Sequence, residues 1–312
     1  MARTALIAVG GNSLIRAGEK GAIPEQLGNA RRTVAAVVRL IAGGWRVVVT
    51  HGNGPQVGAA LLRSERAAGQ VYGHPLDVCD ATTQGEIGYL LQQSLHNELA
   101  AAGIDRPVAT VLTQVVVAAD DPAMQKPTKP IGPFYSREEA EERRARLGWA
   151  IVEDAARGYR RVVPSPEPLE IVEAEVVRDL LERGVLVVAV GGGGIPVVRR
   201  EGRLEGLEAV IDKDRASALL AARLGVDRFV ISTDVDRVYL DYKQPGQRAL
   251  ARVTAAELDG HYRAGHFPPG NMGPKIESAL RFLAGGGREV IITSFAHLEA
   301  AFAGAAGTHV VP

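Results

Sequence analysis

Residues 46–55 of the chain read RVVVTHGNGP. The run of β-branched residues predicts a buried strand, and the glycines after it predict a tight turn into a helix over residues 55–68. The same order of apolar strand, glycine-rich turn and helix recurs along the chain, beginning with a strand at residues 4–9. Apolar strands separated by helices are typical of an α/β fold with a mainly parallel central sheet that helices cover on both faces.

Three glycine-rich turns each follow a predicted strand: Gly10-Gly11-Asn12, Gly52-Asn53-Gly54 and residues 191–194. Because crossover connections are right-handed, the carboxyl ends of parallel strands meet at one edge of the sheet, where ligands bind. Glycines there let backbone N–H groups approach a phosphate closely, although the first two sequences also suit plain turns. Four consecutive glycines exceed what a turn needs, so we favour a binding role for residues 191–194.

Residues 120–173 do not follow the strand–helix order. The segment holds seven prolines and a dense run of charges over residues 137–146. It predicts a protruding arm subdomain inserted into the sheet-forming chain. Lys129 lies in its proline-stiffened part, KPTKPIGPFY at residues 126–135, which suits either an exposed loop or a cationic lid over a cleft.

The composition excludes several classes of protein. The chain has 312 residues, of which 46% are hydrophobic, and its 36 basic residues balance 36 acidic ones. A protein built to grip nucleic acid usually carries a basic excess, so we expect no nucleic-acid partner. No apolar run reaches the roughly 20 residues of a membrane span. With one cysteine, Cys79, and no signal-peptide core, we expect a cytoplasmic protein.

Lysine is rare in this chain, which has six lysines and 30 arginines. Two of the six, Lys213 and Lys275, occupy the first turns of predicted helices, where the helix dipole disfavours a cation. Such an arrangement indicates an anionic partner. Asp214 is placed either to orient these lysines or to lie near a metal, and Asp234 and Asp236 end a strand where they suit a nucleotide or a turn.

Other common sites are absent from the sequence. There is no P-loop motif, and the pattern that begins at Gly52 has one residue too many for a dinucleotide fingerprint. No Cys/His spacing indicates zinc, and we predict no protein metal site. Several glycine turns with isolated lysines suit two anionic ligands that face each other, as phosphoryl transfer requires. A nucleotide-binding sensor without catalysis is the other interpretation.

The whole chain resembles the carbamate kinases, within the amino-acid kinase superfamily. The most specific segments are THGNGPQVG at 50–58, PLDVC at 75–79, PTKPIGPFY at 127–135, GGGGIP at 191–196, DKD at 212–214 and MGPK at 272–275. The resemblance implies a three-layer α/β/α sandwich, a homodimer, and reversible phosphoryl transfer between ATP and carbamate, with Mg²⁺ accompanying the nucleotide. It also implies a use in making ATP during arginine or purine-derivative breakdown.

The resemblance implies roles for particular residues. Carbamoyl phosphate or the transferring phosphoryl group would be held by Gly10, Gly11, Asn12, Gly52 and Asn53. The catalytic set would be Lys129, which closes over the small substrate, Lys213 and Lys275, which neutralise charge, and Asp214, which orients them. The nucleotide would lie against Gly192, Gly193, Asp234, Tyr239 and Met272.

The expected organisation is a single kinase domain over residues 1–312. Residues 1–184, including the arm at 120–173, form the carbamate side, and residues 185–312 form the nucleotide side. The sequence departs from the family pattern at Ser13, at residues 80–83 and at Glu86. A kinase of another small acid is the alternative within the superfamily. Because carbamate is already an anion and needs no general base, we predict no essential catalytic histidine.

Overall fold

Apolar strands and amphipathic helices alternate through the chain, and the computed structural model describes them over residues 3–10, 13–16, 18–154, 158–268 and 272–312. The α-helices in these ranges are α1 (Ile23–Ala42), α2 (Gly54–Arg66), α3 (Leu76–Ala101), α4 (Arg137–Leu147), α5 (Ala174–Glu182), α6 (Lys213–Leu224), α7 (Ala255–Arg263), α8 (Met272–Ala284) and α9 (Leu298–Phe302). None of them, within those ranges, has the length and apolarity needed to cross a membrane.

The strands are short. They are β1 (Thr4–Val9), β2 (Arg46–His51), β3 (Val108–Thr110), β4 (Gln114–Val116), β5 (Lys129–Tyr135), β6 (Ile151–Asp154), β7 (Gly158–Val163), β8 (Glu170–Ile171), β9 (Leu186–Val188), β10 (Ile195–Arg200), β11 (Arg203–Gly206), β12 (Arg228–Ser232), β13 (Val238–Leu240), β14 (Arg248–Leu250), β15 (Arg252–Thr254), β16 (Val290–Thr293) and β17 (Thr308–Val311).

The central sheet has eight strands in the order β15-β17-β16-β12-β1-β2-β9-β3. Its neighbours pair in parallel except at β16–β17, where the pairing is antiparallel. Alternate residues of β1 enter two separate apolar cores: Leu6 packs on the side of α6 and α8, and Ile7 on the side of α1 and α3. Helices therefore cover both faces, which confirms the predicted α/β/α sandwich with a mainly parallel sheet.

The register of the central strands brings their carboxyl ends together. Val9 pairs with His51, Ala8 with Ile231, and Val49 with Val188. The turns after β1, β2, β9 and β12 therefore start at one edge of the sheet. Two hydrogen bonds link neighbouring turns there, from the Gly52 N–H to the Val9 carbonyl (3.1 Å) and from the Gly10 N–H to Ser232 Oγ (2.9 Å).

The arm segment builds its own three-stranded sheet in the order β5-β7-β6, with α4 packed against it. The next strand of the segment, β8, does not join this sheet. It pairs with β4 in a four-stranded sheet of order β11-β10-β4-β8. The run of β-branched residues over 108–117 predicts one strand. That prediction is wrong, because β3 and β4 belong to different sheets. The two strands are separated at Thr113, whose N–H donates to Gln84 Oε1 (2.8 Å) instead of to a neighbouring strand.

Helix α2 holds the arm against the main body. A Cβ placed on Gly58 would lie 2.4 Å from the Cα of Gly132 in β5, so the two backbones are in direct contact and only glycine fits. At the other end of α2, Glu65 forms a buried ion pair with Arg143 of α4 at 3.1 Å. The helix that begins at the sheet edge is therefore fixed to the arm along its length.

Candidate active site

A cleft of about 850 Å³ opens at the carboxyl edge of the sheet, between the main body and the arm. It contains the three predicted catalytic lysines and one of the two predicted substrate-side glycine turns, Gly52-Asn53-Gly54. The predicted site residues that line it are Gly52, Asn53, Lys129, Gly192, Lys213, Asp214 and Lys275.

Asp212 connects the arm to helix α6. One oxygen, Oδ1, accepts hydrogen bonds from the N–H groups of Asp214 (2.9 Å) and Arg215 (3.4 Å), which makes Asp212 the N-cap of α6. The other, Oδ2, accepts from Lys129 Nζ at 2.7 Å. A single carboxylate thus starts the helix that carries Lys213 and also holds the arm lysine over the cleft. Burial alone would raise the pKa of Asp212, but the Lys129 ammonium outweighs it and the pKa is lowered.

Asp214 joins the other two lysines. Its Oδ1 accepts from Lys213 Nζ at 2.5 Å and its Oδ2 accepts from Lys275 Nζ at 3.0 Å. The side chains of all three are 6–13% exposed, so water screens these charges weakly. Helices α6 and α8 pack against each other, and this packing brings the first turn of α8 to the first turn of α6.

Lys213, Lys275 and Asp214 form a buried cluster with two positive charges and one negative charge. Burial lowers the pKa of Lys213, Asp214 opposes that effect, and Lys275 adds to it. For Lys275 the attraction of Asp214 exceeds the cost of burial, so its pKa is raised. Burial would raise the pKa of Asp214, but the two ammonium groups hold it below its usual range. Two ammonium groups against one buried carboxylate leave a net positive charge that attracts an anion.

The turn after β2 faces the same cleft. Asn53 occupies the N-cap position of α2, yet within the described residues its side chain makes no capping hydrogen bond. Its amide Nδ2 instead donates to Asp80 Oδ1 and Thr83 Oγ1 in α3, at 2.9 Å each. Both amide hydrogens are therefore used inside the protein, and the side chain leaves the first turn of α2 open toward the cleft.

The glycines at residues 191–194 have a second reason to be glycine besides binding. Gly192 has φ +69°, and a Cβ on it would lie 2.3 Å from Asn53 Nδ2. A Cβ on Gly193 would lie 2.3 Å from the Ile211 carbonyl oxygen. The turn after β9 is thus packed tightly against the Asn53 turn and the residues that precede α6. Gly192 reaches the cleft, whereas Gly193 packs against the Ile211 carbonyl.

The predicted substrate residues of the first turn are only partly placed. Gly10 lies at the end of β1, with its N–H bonded to Ser232 Oγ. Gly11 and Asn12 lie outside the described residues, as do Gly270 and Asn271 before α8.

A second cavity, of about 560 Å³, contains the other predicted nucleotide residues: Asp234, Tyr239 and Met272 line it. The rings of Tyr239 and Tyr242 lie 5.9 Å apart in its wall, beside His266 and Phe267. Met272 and Lys275 share the first turn of α8, so this turn contributes to both cavities. Aromatic walls next to a cationic cleft suit a base joined to phosphates.

His51 is buried at the end of β2, and its Nδ1 lies 3.1 Å from the Gly52 carbonyl oxygen. Burial lowers the pKa of His51 to about 4, with the Lys213 ammonium acting in the same direction. The ring is therefore neutral near pH 7 and packs closely against Gly191. This environment is that of a packing residue.

Sequence reasoning did not identify Asp212 as the partner of Lys129. It also missed Arg160 and Arg215, which line the cleft. Arg215 is held by Glu167 (3.3 Å) and Glu277 (2.9 Å), and Arg160 donates to the Gly132 carbonyl (3.1 Å). In a chain with 30 arginines, these two carry no distinguishing signal in the sequence.

The chain resembles known proteins over nearly its full length. Residues 3–294 match the model of the amino acid kinase family. A carbamate kinase of Thermococcus kodakarensis is 48% identical, covering 98% of both chains, and one of Staphylococcus haemolyticus is 48% identical over 97% of both. The crystal structure of the carbamate kinase from Giardia lamblia bound to AMP-PNP superposes with a TM-score of 0.94 at 41% identity, covering 99% of this chain and 98% of that one.

Proposed function

The chain belongs to the amino acid kinase family, and from that premise we propose that it is a carbamate kinase, a phosphotransferase that moves a phosphoryl group reversibly between carbamoyl phosphate and ADP. Full-length identity of 46–48% to curated carbamate kinases supports this activity over that of another small-acid kinase. The structural observation that carries it is the gathering of Lys129, Lys213 and Lys275 in one cleft.

The reaction needs charge neutralisation more than proton transfer. An oxygen of the ADP β-phosphate attacks phosphorus, the bond from phosphorus to the carbamate oxygen breaks, and carbamate leaves as an anion. Both partners of the transferring group are negatively charged, so they repel each other until cations hold them in line. A lysine about 4 Å from a phosphate charge contributes on the order of 4 kcal/mol at an effective dielectric of 20.

The arrangement of the cleft suggests how the roles are divided. Lys213 and Lys275 neutralise the transferring phosphoryl group and the ADP side, and Asp214 orients both. Lys129 on the arm holds the carbamate end, which the turns at Gly10 and Gly52 face from the sheet edge. Asp234, Tyr239 and Met272 hold the nucleoside in the second cavity. In this division residues 1–184 bind the small substrate and residues 185–312 bind the nucleotide.

The carboxylates of the cleft fit a metal ion that is bound by the phosphates of the nucleotide and not by the protein. Among the described residues, no group of three or more His, Cys, Asp or Glu side chains is placed to hold an ion. Asp212 and Asp214 are engaged by ammonium groups. We therefore assign Mg²⁺ to the phosphates of ADP or ATP, where it reduces the charge that the lysines must neutralise.

The activity is tested by offering the purified protein ADP, Mg²⁺ and carbamoyl phosphate and measuring ATP formation. We expect ATP, and in the reverse direction we expect carbamate to accept phosphate while acetylglutamate, aspartate and uridylate do not. Binding of ADP without any ATP formation would indicate a sensor instead, and a preference for another acceptor would indicate a different kinase of the superfamily.

We propose that the enzyme is a homodimer that uses the face around Tyr89 and the edge strand β3, where Tyr89 and Leu112 are exposed apolar side chains. Light scattering of the purified protein tests this oligomeric state.

We propose the cytoplasm as its location, because ADP and Mg²⁺ are abundant there. We propose that it makes ATP during the breakdown of arginine or purine derivatives.

A further inference from the structure

Asp80 is a carboxyl group in an unusual place. It lies in α3, is 1% exposed, and accepts a hydrogen bond of 2.9 Å from the Asn53 amide. Within the described residues its other oxygen, Oδ2, has no hydrogen-bond partner. Burial raises the pKa of Asp80 well above its usual range, the Asn53 bond opposes this, and the nearby Asp77 adds to it.

A buried polar group with one unsatisfied atom destabilises the fold. An apolar side chain would remove that cost, so the carboxyl group needs another explanation. Among the described residues, the hydrogen-bond partner of this carboxyl group is Asn53, and Thr83 accepts from the same amide nitrogen one turn further along α3.

These two acceptors determine where the Asn53 side chain points. On one side it is bonded to α3, and on the other it packs against Gly192, where a Cβ would come within 2.3 Å of Nδ2. A free Asn side chain at an N-cap position usually bonds to the first-turn N–H groups of its helix. Here, among the described residues, that internal cap is not formed, and the residues at the start of α2, Gly52, Asn53, Gly54 and Pro55, line the cleft.

We infer that Asp80 is a positioning residue for the reaction: with Thr83 it holds the Asn53 side chain against α3, so that the start of α2 presents its backbone N–H groups to the phosphate of carbamoyl phosphate. The inference rests on the proposed function. It assigns the contact with the substrate to the backbone of Asn53 and Gly54, since the Gly52 N–H is bonded to the Val9 carbonyl, and gives the Asn53 amide an internal role.

Four variants test the role: Asp80→Ala, Asp80→Asn, Thr83→Val and Thr82→Val. The first and third each remove one acceptor. We expect each to raise KM for carbamoyl phosphate about tenfold while KM for ADP stays within about twofold, because the residues assigned to the nucleoside, Asp234, Tyr239 and Met272, line the other cavity. Asp80→Asn keeps a neutral oxygen acceptor and should restore a KM close to that of the wild type. Thr82→Val removes an exposed hydroxyl from the same helix turn and serves as the matched control.

The outcomes separate the inference from its alternatives. A purely structural role would lower the amount of active enzyme or change both KM values together, and either result would overturn the inference. So would an Asp80→Asn variant as impaired as Asp80→Ala, or unchanged KM values throughout. If Asp80→Ala does not fold, the selective KM change in Thr83→Val and its absence in Asp80→Asn decide the question. Absence of ATP formation by the wild-type protein would instead refute the proposed function.

Discussion

Lys275 on α8 donates a hydrogen bond of 3.0 Å to Oδ2 of Asp214 on α6, across 61 positions of sequence. The other oxygen of the same carboxylate accepts from Lys213 at 2.5 Å. One buried side chain therefore fixes the positions of two of the ammonium groups assigned to the transferring phosphate. The relative placement of α6 and α8 is thus coupled to the charge of the cleft.

Replacing either lysine should reduce catalysis strongly without unfolding the protein. In Lys213→Ala and Lys275→Ala we expect kcat for ATP formation to fall by at least about a hundredfold, since each removes a cation close to the reacting phosphate. Both variants should keep the thermal unfolding midpoint within a few degrees. Lys20→Ala removes an exposed lysine that is not among the residues lining the cleft and is the control. A near wild-type rate in either cleft variant would contradict the assigned role.

Replacing Asp214 should alter both stability and pH dependence. Asp214→Asn leaves two buried ammonium groups without a carboxylate, which we expect to lower the free energy of unfolding by about 3–5 kcal/mol. Burial already lowers the pKa of Lys213 and Asp214 opposes this, so the variant lowers that pKa further. The ammonium form is then lost at lower pH, and the alkaline limb of the kcat profile should move to lower pH.

The pH profile of kcat and chemical denaturation measure these two effects separately. Asp259→Asn, which removes a carboxylate from a pair with Arg263 on α7, is the matched control. An unmoved alkaline limb in Asp214→Asn would show that Lys213 is not the group that titrates.

His51 should make the protein less stable at acid pH. Its pKa is about 4 when folded and 6.5 as the ordinary value, so between these pH values the unfolded chain binds more protons. The free energy of unfolding therefore falls as pH is lowered from 6.5 to 4, by roughly 3 kcal/mol in total. Denaturation of His51→Asn at pH 7 and pH 4 should lack this part of the decrease. His96→Asn, on the exposed face of α3, should retain it; identical profiles for wild type and His51→Asn would refute the assignment.

The contact between Gly58 and Gly132 should be essential for the position of the arm. In Gly58→Ala the new methyl group would lie 2.4 Å from the Gly132 Cα, so β5 must move, and Lys129 at the start of β5 moves with it. We expect KM for carbamoyl phosphate to rise at least about tenfold, because a shift of about 1 Å displaces the charge that holds the substrate. Gly28→Ala in α1, which has open space at the Cβ position, is the control. Equal KM values in the two variants would show that the contact with α2 does not determine the position of the arm.

Local patterns predicted more of this molecule than long-range contacts did. The β-branched runs at residues 4–9 and 46–50 and the start of the helix that carries Lys213 each carry their own signal, and the structure has strands and a helix there. The rarity of lysine in this chain distinguished Lys213 and Lys275 from the many arginines. The sequence left Asp214 either to orient the lysines or to lie near a metal, and spacing alone could not decide, since the contact with Lys275 depends on how α6 and α8 pack. The break between β3 and β4 was missed for the same reason: the acceptor for the Thr113 N–H lies on α3, 29 residues away.

The shared role of Asp212 bears on how tightly the enzyme holds its small substrate. Lys129 has a carboxylate partner within the protein, Asp212, at 2.7 Å. An incoming carbamate presents the same kind of oxygen to the same ammonium, so its arrival exchanges or extends an existing ion pair without creating one from water. Affinity then reflects a small difference between two similar attractions. Weak retention of this kind lets either end of the equilibrium dissociate readily, which is what a freely reversible transfer requires.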